Sequence, residues 1–299
     1  MKKFHIHILA FISMFFWGMS YVWSKIVFEV YSPLTTIFFR LLISFVVLFL
    51  FGYVIGQLKP VQKKDRWLFI GSAFLNPFLY FVGENYGLSL VSASLSSIIV
   101  STIPVFAPFA AYYFFKERLR PLNLIGLIIS FTGLLVIILN DKFQLLANPL
   151  GIALLFLAVF SAVFYVVALK KLTQQYNPVT IITWQNMLGS LFFLPFFLFI
   201  DGPSFVTIRP GILPIVSLLM LGIFASSVAY VLYTYVVKYL GVIKSSLYTN
   251  LIPVFTVVFS FYLLGEQFTA RKIIGMTVVI IGVVLSEIGK TEPSQKLKI

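Results

Sequence analysis

Two ionisable residues lie in stretches apolar enough to be expelled from water: Arg40, in Phe38-Phe39-Arg40, and Glu84, in Phe81-Val82-Gly83-Glu84. A guanidinium at such a place can hold a carboxylate or phosphate, and a carboxyl can titrate or hold an amine. They can also neutralise each other as a structural pair, or Arg40 can reach along its stem to the surface. A buried unpaired charge costs at least about 2.5 kcal/mol in a membrane. At a rise of 1.5 Å per residue, Arg40 falls roughly 10 Å below the outer end of its helix. By the same rise Glu84 falls about 25 Å from the cytoplasmic end of its own. Both are expected in the outer half of the bilayer, where they can meet. Lys25 is close enough to the outer interface to extend its amine into water.

Uncharged polar groups recur at similar depth. Trp17, Tyr80, Tyr165, Tyr230 and Tyr248 carry indole or phenol groups that need partners in hydrocarbon, and Asn76, Gln185 and Asn186 add amides. Helices carrying such groups turn them inward, toward a cavity or a neighbouring helix. Pro104 and Pro253 sit near the middle of their apolar runs and cannot donate to the carbonyls of Val100 and Thr249. Those acceptors need a neighbour, a water or a ligand. Ser101 and Asn250 lie beside them, with Ser97 and Ser246 one turn earlier. The bends either line a cavity or serve helix packing alone. The translocation set drawn from these groups is Trp17, Arg40, Asn76, Tyr80, Glu84, Ser97, Ser101, Tyr165, Gln185, Tyr230, Tyr248 and Asn250, with Pro104 and Pro253 as helix kinks.

Several chemistries lack their residues. There is no cysteine, which removes disulfides, thiol catalysis and zinc thiolates. The histidines, His5 and His7, have no carboxylate close by in sequence and read as interfacial residues. No acid/base pair is placed for hydrolysis, no glycine loop cradles phosphate, and no nucleotide-binding domain is present. An enzyme is not expected, nor a cofactor or metal. Net charge of +13 would point to nucleic acid in a soluble protein, but here the basic residues sit in short connections between apolar runs.

The elements that position these groups are membrane helices. Of 299 residues 60% are hydrophobic and 10% charged, with mean hydropathy +1.03; a soluble domain carries about a quarter charged residues. Apolar runs cover Phe4–Val27, Leu34–Ile55, Trp67–Leu88, Ala93–Phe115 and Leu122–Leu139, then Leu150–Leu169, Val179–Ile200, Leu213–Val237, Val242–Leu264 and Ile273–Ile288. Lys2-Lys3 and the first run resemble a secretory signal, but Trp17, Tyr21 and Trp23 and the lack of a small-residue cleavage site make it the first membrane helix. Asn140–Pro149 and Asp201–Pro210 read as the longer loops, and a polar tail follows from Lys290.

The chain repeats itself. At a shift of 149, Ile103-Pro104-Val105-Phe106 falls on Ile252-Pro253-Val254-Phe255, Glu117 on Glu266, Gly126 on Gly275 and Gly133 on Gly282. At a shift of 145, Lys25 falls on Lys170, Pro33 on Pro178 and Thr35 on Thr180. This gives residues 1–140 and 150–289 as two five-helix repeats and 290–299 as a tail. Putting the amino terminus in the cytoplasm places sixteen of the 22 lysines and arginines inside, so both termini are expected there. An odd number of spans per repeat makes the second repeat enter from the opposite side. The expected fold is an all-α membrane protein, ten transmembrane helices in two inverted five-helix repeats around a central cavity. Glu117 and Glu266 are expected as interfacial caps or contacts between repeats. Gly126, Ser130 and Gly133, with Gly275 and Gly282, form a small-residue strip expected to pack within the repeat or to form a dimer seam.

Taken in order, Trp17-Gly18, Lys25, Phe38-Phe39-Arg40, Gly87–Ser94, Ile103-Pro104-Val105-Phe106, Glu117, Gly126 and Gly133, with their second-repeat counterparts, resemble the EamA-type family of drug/metabolite transporters. The resemblance covers nearly the whole chain. It implies a secondary carrier of the plasma membrane (a bacterial inner membrane) that moves a small organic solute. Many such carriers export amino acids, aromatic metabolites or toxic compounds. Protons are a candidate coupling ion, and a monomer or homodimer the expected state. A passive channel is the rival. Two departures stand out: Ala162 where the shift expects tryptophan, and Gln185 where it expects arginine.

Overall fold

The computed structural model describes residues 3–115, 121–139, 146–267 and 269–288. Its regular elements are helices. The first repeat holds α1 (Lys3–Phe28), α2 (Pro33–Val54), a third span of α3 (Arg66–Ala73), a π-helical stretch (Phe74–Leu79) and α4 (Tyr80–Leu90), a fourth span of α5 (Ala93–Val100) and α6 (Ile103–Phe115), and α7 (Pro121–Ile138). The second holds α8 (Pro149–Gln175), α9 (Pro178–Phe196) with a π-helical end (Phe197–Asp201) and α10 (Gly202–Phe205). It continues with α11 (Ile212–Met220), a π-helical stretch (Leu221–Val228), α12 (Ala229–Thr249), α13 (Leu251–Leu264) and α14 (Ala270–Ile288). The polar tail, Glu117 and the first part of the loop at 140–145 lie outside the described residues.

Helix starts follow local chemistry in both repeats. Ser32 accepts from Thr35 N at 3.1 Å and Asn177 from Thr180 N at 2.8 Å, each with proline at the next position. Asn148 caps α8 in the same way. Among the described residues, six spans are single stretches long and apolar enough to cross a membrane. The third, fourth and ninth are interrupted, and the tenth carries Arg271, Lys272 and Glu287.

Two boundaries differ from the sequence expectation. The stretch expected as a loop from Asp201 stays helical to Phe205. Helical hydrogen bonding also runs through the expected connection between the eighth and ninth spans, up to Thr249. The chain still reverses there. Val236 and Leu240 pack with Ile6 and Ala10 near the start of α1, whereas Ile252, Phe255 and Thr256 lie against Gly18, higher on the same helix.

The inversion is visible in the course of the first helices. α1 starts at the end of the bundle that holds Lys59–Arg66, here the basic end, and α8 finishes there, with Tyr176 Oη bonded to Asp65 at 2.7 Å. The repeats then interlock through small residues. A Cβ on Gly133 would stand 2.7 Å from Gly275 O, and one on Gly282 would stand 2.4 Å from Ser130 N. The small-residue strip therefore joins α7 to α14, one helix from each repeat, and not helices within a repeat. Gly83, Gly87 and Gly151 likewise bring α4 onto α8, and Gly18 brings α1 onto α13. Close backbone approach replaces the hydrophobic drive that lipid withholds.

Polar latches join the repeats at both ends. At the end opposite the basic one, Glu266 accepts from Ala93 N at 2.7 Å and Ser94 N at 3.3 Å, as expected of a contact between repeats, and binds Ser94 Oγ. Asp201 accepts from Thr35 N and Oγ1 at 3.1 and 2.7 Å, and from Ser32 Oγ. At the basic end, Asn177 Nδ2 and Thr180 Oγ1 donate to Gln57 O at 2.7 and 2.9 Å.

Candidate functional site: a cavity between the repeats

The interlocked repeats leave a central cavity of about 90 Å³. Its walls come in repeat pairs. Trp17 and Ala162, Ser20 and Tyr165, and Tyr21 and Val166 are mates at the shift of 145; Phe81 and Tyr230, Glu84 and Tyr233, Val100 and Thr249, and Ile103 and Ile252 at 149. The pseudo-twofold axis thus runs through the cavity, and the chemistry on its two sides is unequal.

The first repeat supplies the charges. Arg40 is 2% exposed, its Nη1 lies 3.9 Å from Glu84 Oε2, and its Nε donates to Ser226 Oγ at 2.9 Å. Its guanidinium carbon stands 4.2 Å from the centre of the Phe81 ring, a cation–π contact. Glu84 accepts from Tyr80 Oη at 2.9 Å and Asn85 Nδ2 at 3.4 Å, and the Tyr21 phenol faces it too. A separation of 3.9 Å exceeds the 2.7–2.9 Å of a charge-assisted hydrogen bond. The two charges hold each other without saturating each other.

Irregular backbone brings these groups together. In the third span Asn76 takes an extended conformation (φ −142°, ψ 116°) inside the π-helical stretch, before Pro77. The eighth span has its π-helical stretch at the matching place. Each stretch meets a donor from the other repeat: Ser161 Oγ on Leu75 O at 2.5 Å, and Trp17 Nε1 on Ala225 O at 3.2 Å. The fourth and ninth spans break at Ser101–Thr102 and at Asn250, just ahead of Pro104 and Pro253.

Of the residues anticipated from sequence, Trp17, Arg40, Asn76, Tyr80, Glu84, Tyr165 and Tyr230 line the cavity. Ser97, Ser101, Gln185, Tyr248 and Asn250 do not. Ser97 and Ser101 turn their hydroxyls onto Ser94 O and Ile98 O within their own helix. Gln185 stands behind the wall, accepting from Tyr165 Oη at 2.9 Å and donating to Ser72 Oγ at 3.0 Å. Tyr248 binds His7 Nδ1 near the basic end. Asn250 Oδ1 is buried without a protein partner. The prolines also stay off the wall, while Val100 and Thr249, whose carbonyls they cannot bond, are on it with Ile103 and Ile252.

Sequence reasoning passed over Tyr21, Phe81, Val166, Tyr233 and Thr234. The repeat carried a signal for two of them, since Phe81 is the mate of Tyr230 and Tyr233 the mate of Glu84. Among the described residues no three histidine, aspartate or glutamate side chains converge to hold a metal ion.

The sequence profile of the EamA-like transporter family matches residues 5–139 and 149–288. An uncharacterized transporter of Archaeoglobus fulgidus is 27% identical over 269 residues, 90% of this chain and 93% of its own. The uncharacterized transporter YetK of Bacillus subtilis is 28% identical over 285 residues, 92% and 84% of the two chains. A chloroplastic WAT1-related protein of Arabidopsis thaliana is 26% identical over 91% of this chain and 66% of its own. One solved crystal structure shares the fold, with a TM-score of 0.71 over 95% of this chain and 97% of that one, at 13% identity.

Proposed function

Because this chain belongs to the EamA-like transporter family, we propose that it is a secondary transporter that exports an amino acid or related metabolite by alternating access. The observation that carries the reading is the Arg40–Glu84 pair facing a small cavity between the repeats. Arg40 keeps N–H groups for a carboxylate, and Glu84 and its phenols can receive an ammonium. The cavity wall holds one positive and one negative residue besides tyrosines. A zwitterion leaves that balance unchanged, whereas a net charge would be uncompensated in a low-dielectric site. Export from a cell across its plasma membrane is the direction and setting implied by the family resemblance, and the basic-residue count favours both termini in the cytoplasm.

The site residues proposed are those on the wall: Trp17, Arg40, Asn76, Tyr80, Glu84, Tyr165 and Tyr230. Glu84 is the group through which protons would couple. The aromatic lining, Trp17, Tyr21, Tyr80, Phe81, Tyr230 and Tyr233, supports a second reading, an exporter of amphipathic drugs. Flux in proteoliposomes separates the readings. The expected result is saturable amino-acid flux with counterflow by unlabelled solute, lost in Arg40→Ala. Linear flux without counterflow would indicate a channel, and transport of hydrophobic cations alone would favour the drug reading.

A further inference from the structure

Trp17 and Ala162 are mates in the duplication, and both line the cavity. The indole of Trp17 is held by the second repeat. Its Nε1 donates to Ala225 O at 3.2 Å, and its ring stands 5.0 Å from Tyr230 and 4.9 Å from Tyr233. At the shift of 149 those three neighbours are the mates of Asn76, Phe81 and Glu84. An indole at position 162, held as Trp17 is held, would therefore cover Asn76, Phe81 and Glu84. The chain has alanine there, and the hydrogen bond on the third span comes from Ser161 to Leu75 O instead. The ground in front of Glu84 is left as cavity.

We propose that the space a second tryptophan would fill seats the apolar part of the solute, and that Ala162 sets the size limit of that part. The wall supports this division. Ala162, Val166 and Leu169 are spaced i, i+4, i+7 on α8 and form an apolar stripe along the cavity. Arg40 and Glu84 form the polar wall. A solute that satisfies both walls has a zwitterionic head and an aliphatic or aromatic side chain. This deepens the amino-acid reading above and rests on it.

The test is binding of L-alanine, L-valine, L-leucine and L-phenylalanine to purified protein in nanodiscs, for the wild type and for Ala162→Gly, Ala162→Val and Ala162→Trp. One methylene in an apolar pocket changes affinity by about 10-fold or more. Ala162→Val is expected to weaken the largest ligand bound by wild type at least about 10-fold while sparing L-alanine. Ala162→Gly shifts preference toward larger side chains, and Ala162→Trp abolishes binding. Unfolding temperature without ligand checks that each variant is folded; if Ala162→Trp fails to fold, the valine and glycine variants decide. Variants that weaken all four ligands equally, or none, overturn the assignment of Ala162 while leaving the amino-acid reading in place. A wild type that binds none of the four removes that reading, and this assignment with it.

Discussion

Arg40 donates one N–H to Ser226 and rests on Phe81, so its position survives whatever happens at Glu84. Glu84 is held by Tyr80 and Asn85 in the same way. Removing one charge therefore leaves the other in place and unpaired. Arg40→Gln is expected to cost about 3 kcal/mol in unfolding, the lower end for breaking a buried pair, because cavity water reaches the charge left behind. The double variant Arg40→Gln with Glu84→Gln should recover part of that loss. Single-variant losses that simply add in the double variant would mean that the 3.9 Å contact carries no coupling. Glu84→Gln alone addresses the proton: flux driven by a pH gradient in proteoliposomes should lose its pH dependence, and an unchanged profile would place coupling elsewhere. Both residues were legible in sequence, because a charge in an apolar run has few places to go. Tyr21 was not, since an aromatic residue in a membrane helix whose repeat mate is a plain Val166 carries no sign of which way it faces.

Helices here meet across repeats through positions that tolerate no side chain. A Cβ at Gly282 would collide with Ser130 N, with Gly126 O at 2.7 Å. Gly282→Val should therefore push α14 off α7 and cost roughly 1–3 kcal/mol, read as a lower unfolding temperature. Gly71, on α3, faces nothing within 4 Å, so Gly71→Ala should stabilise by about 0.5–1 kcal/mol. The contrast separates crowding at one glycine from a general effect of replacing glycine. The small-residue strip was plain in the sequence, but its partner was not. Spacing of small residues says that something comes close without saying what. The π-helical stretches were also hidden, because Phe74–Leu79 and Leu221–Val228 keep the apolar composition of an ordinary span.

At the scale of the whole molecule, the alternating access proposed above requires the latches to open one end at a time. Ser94 Oγ and Ser260 Oγ lie 3.0 Å apart at the end opposite the basic one, joining α5 to α13. The chain has no cysteine, so a pair introduced by Ser94→Cys and Ser260→Cys would be the only one present. Oxidation should stop transport while binding from the basic end persists, and a reductant should restore flux. Full transport through the oxidised protein would show that this end does not need to open.

Hydropathy, the duplication and the lysine–arginine count were enough to establish ten spans, two repeats and their inversion. These depend on chain order and on the cost of polar groups in lipid, and both are written along the sequence. The facing of each side chain was decided by the tertiary structure. Irregular turns at Asn76, at Ser101–Thr102 and at Asn250 rotate the following half-helix, so a residue's distance along its span no longer fixes its direction. Ser97 and Ser101 spend their hydroxyls on their own helix, while Val100 and Thr249 beside them line the cavity. The exchange of Trp17 for Ala162 between repeats was visible in the sequence from the start. Only packing around the pseudo-twofold axis turned that exchange into a cavity beside a buried ion pair.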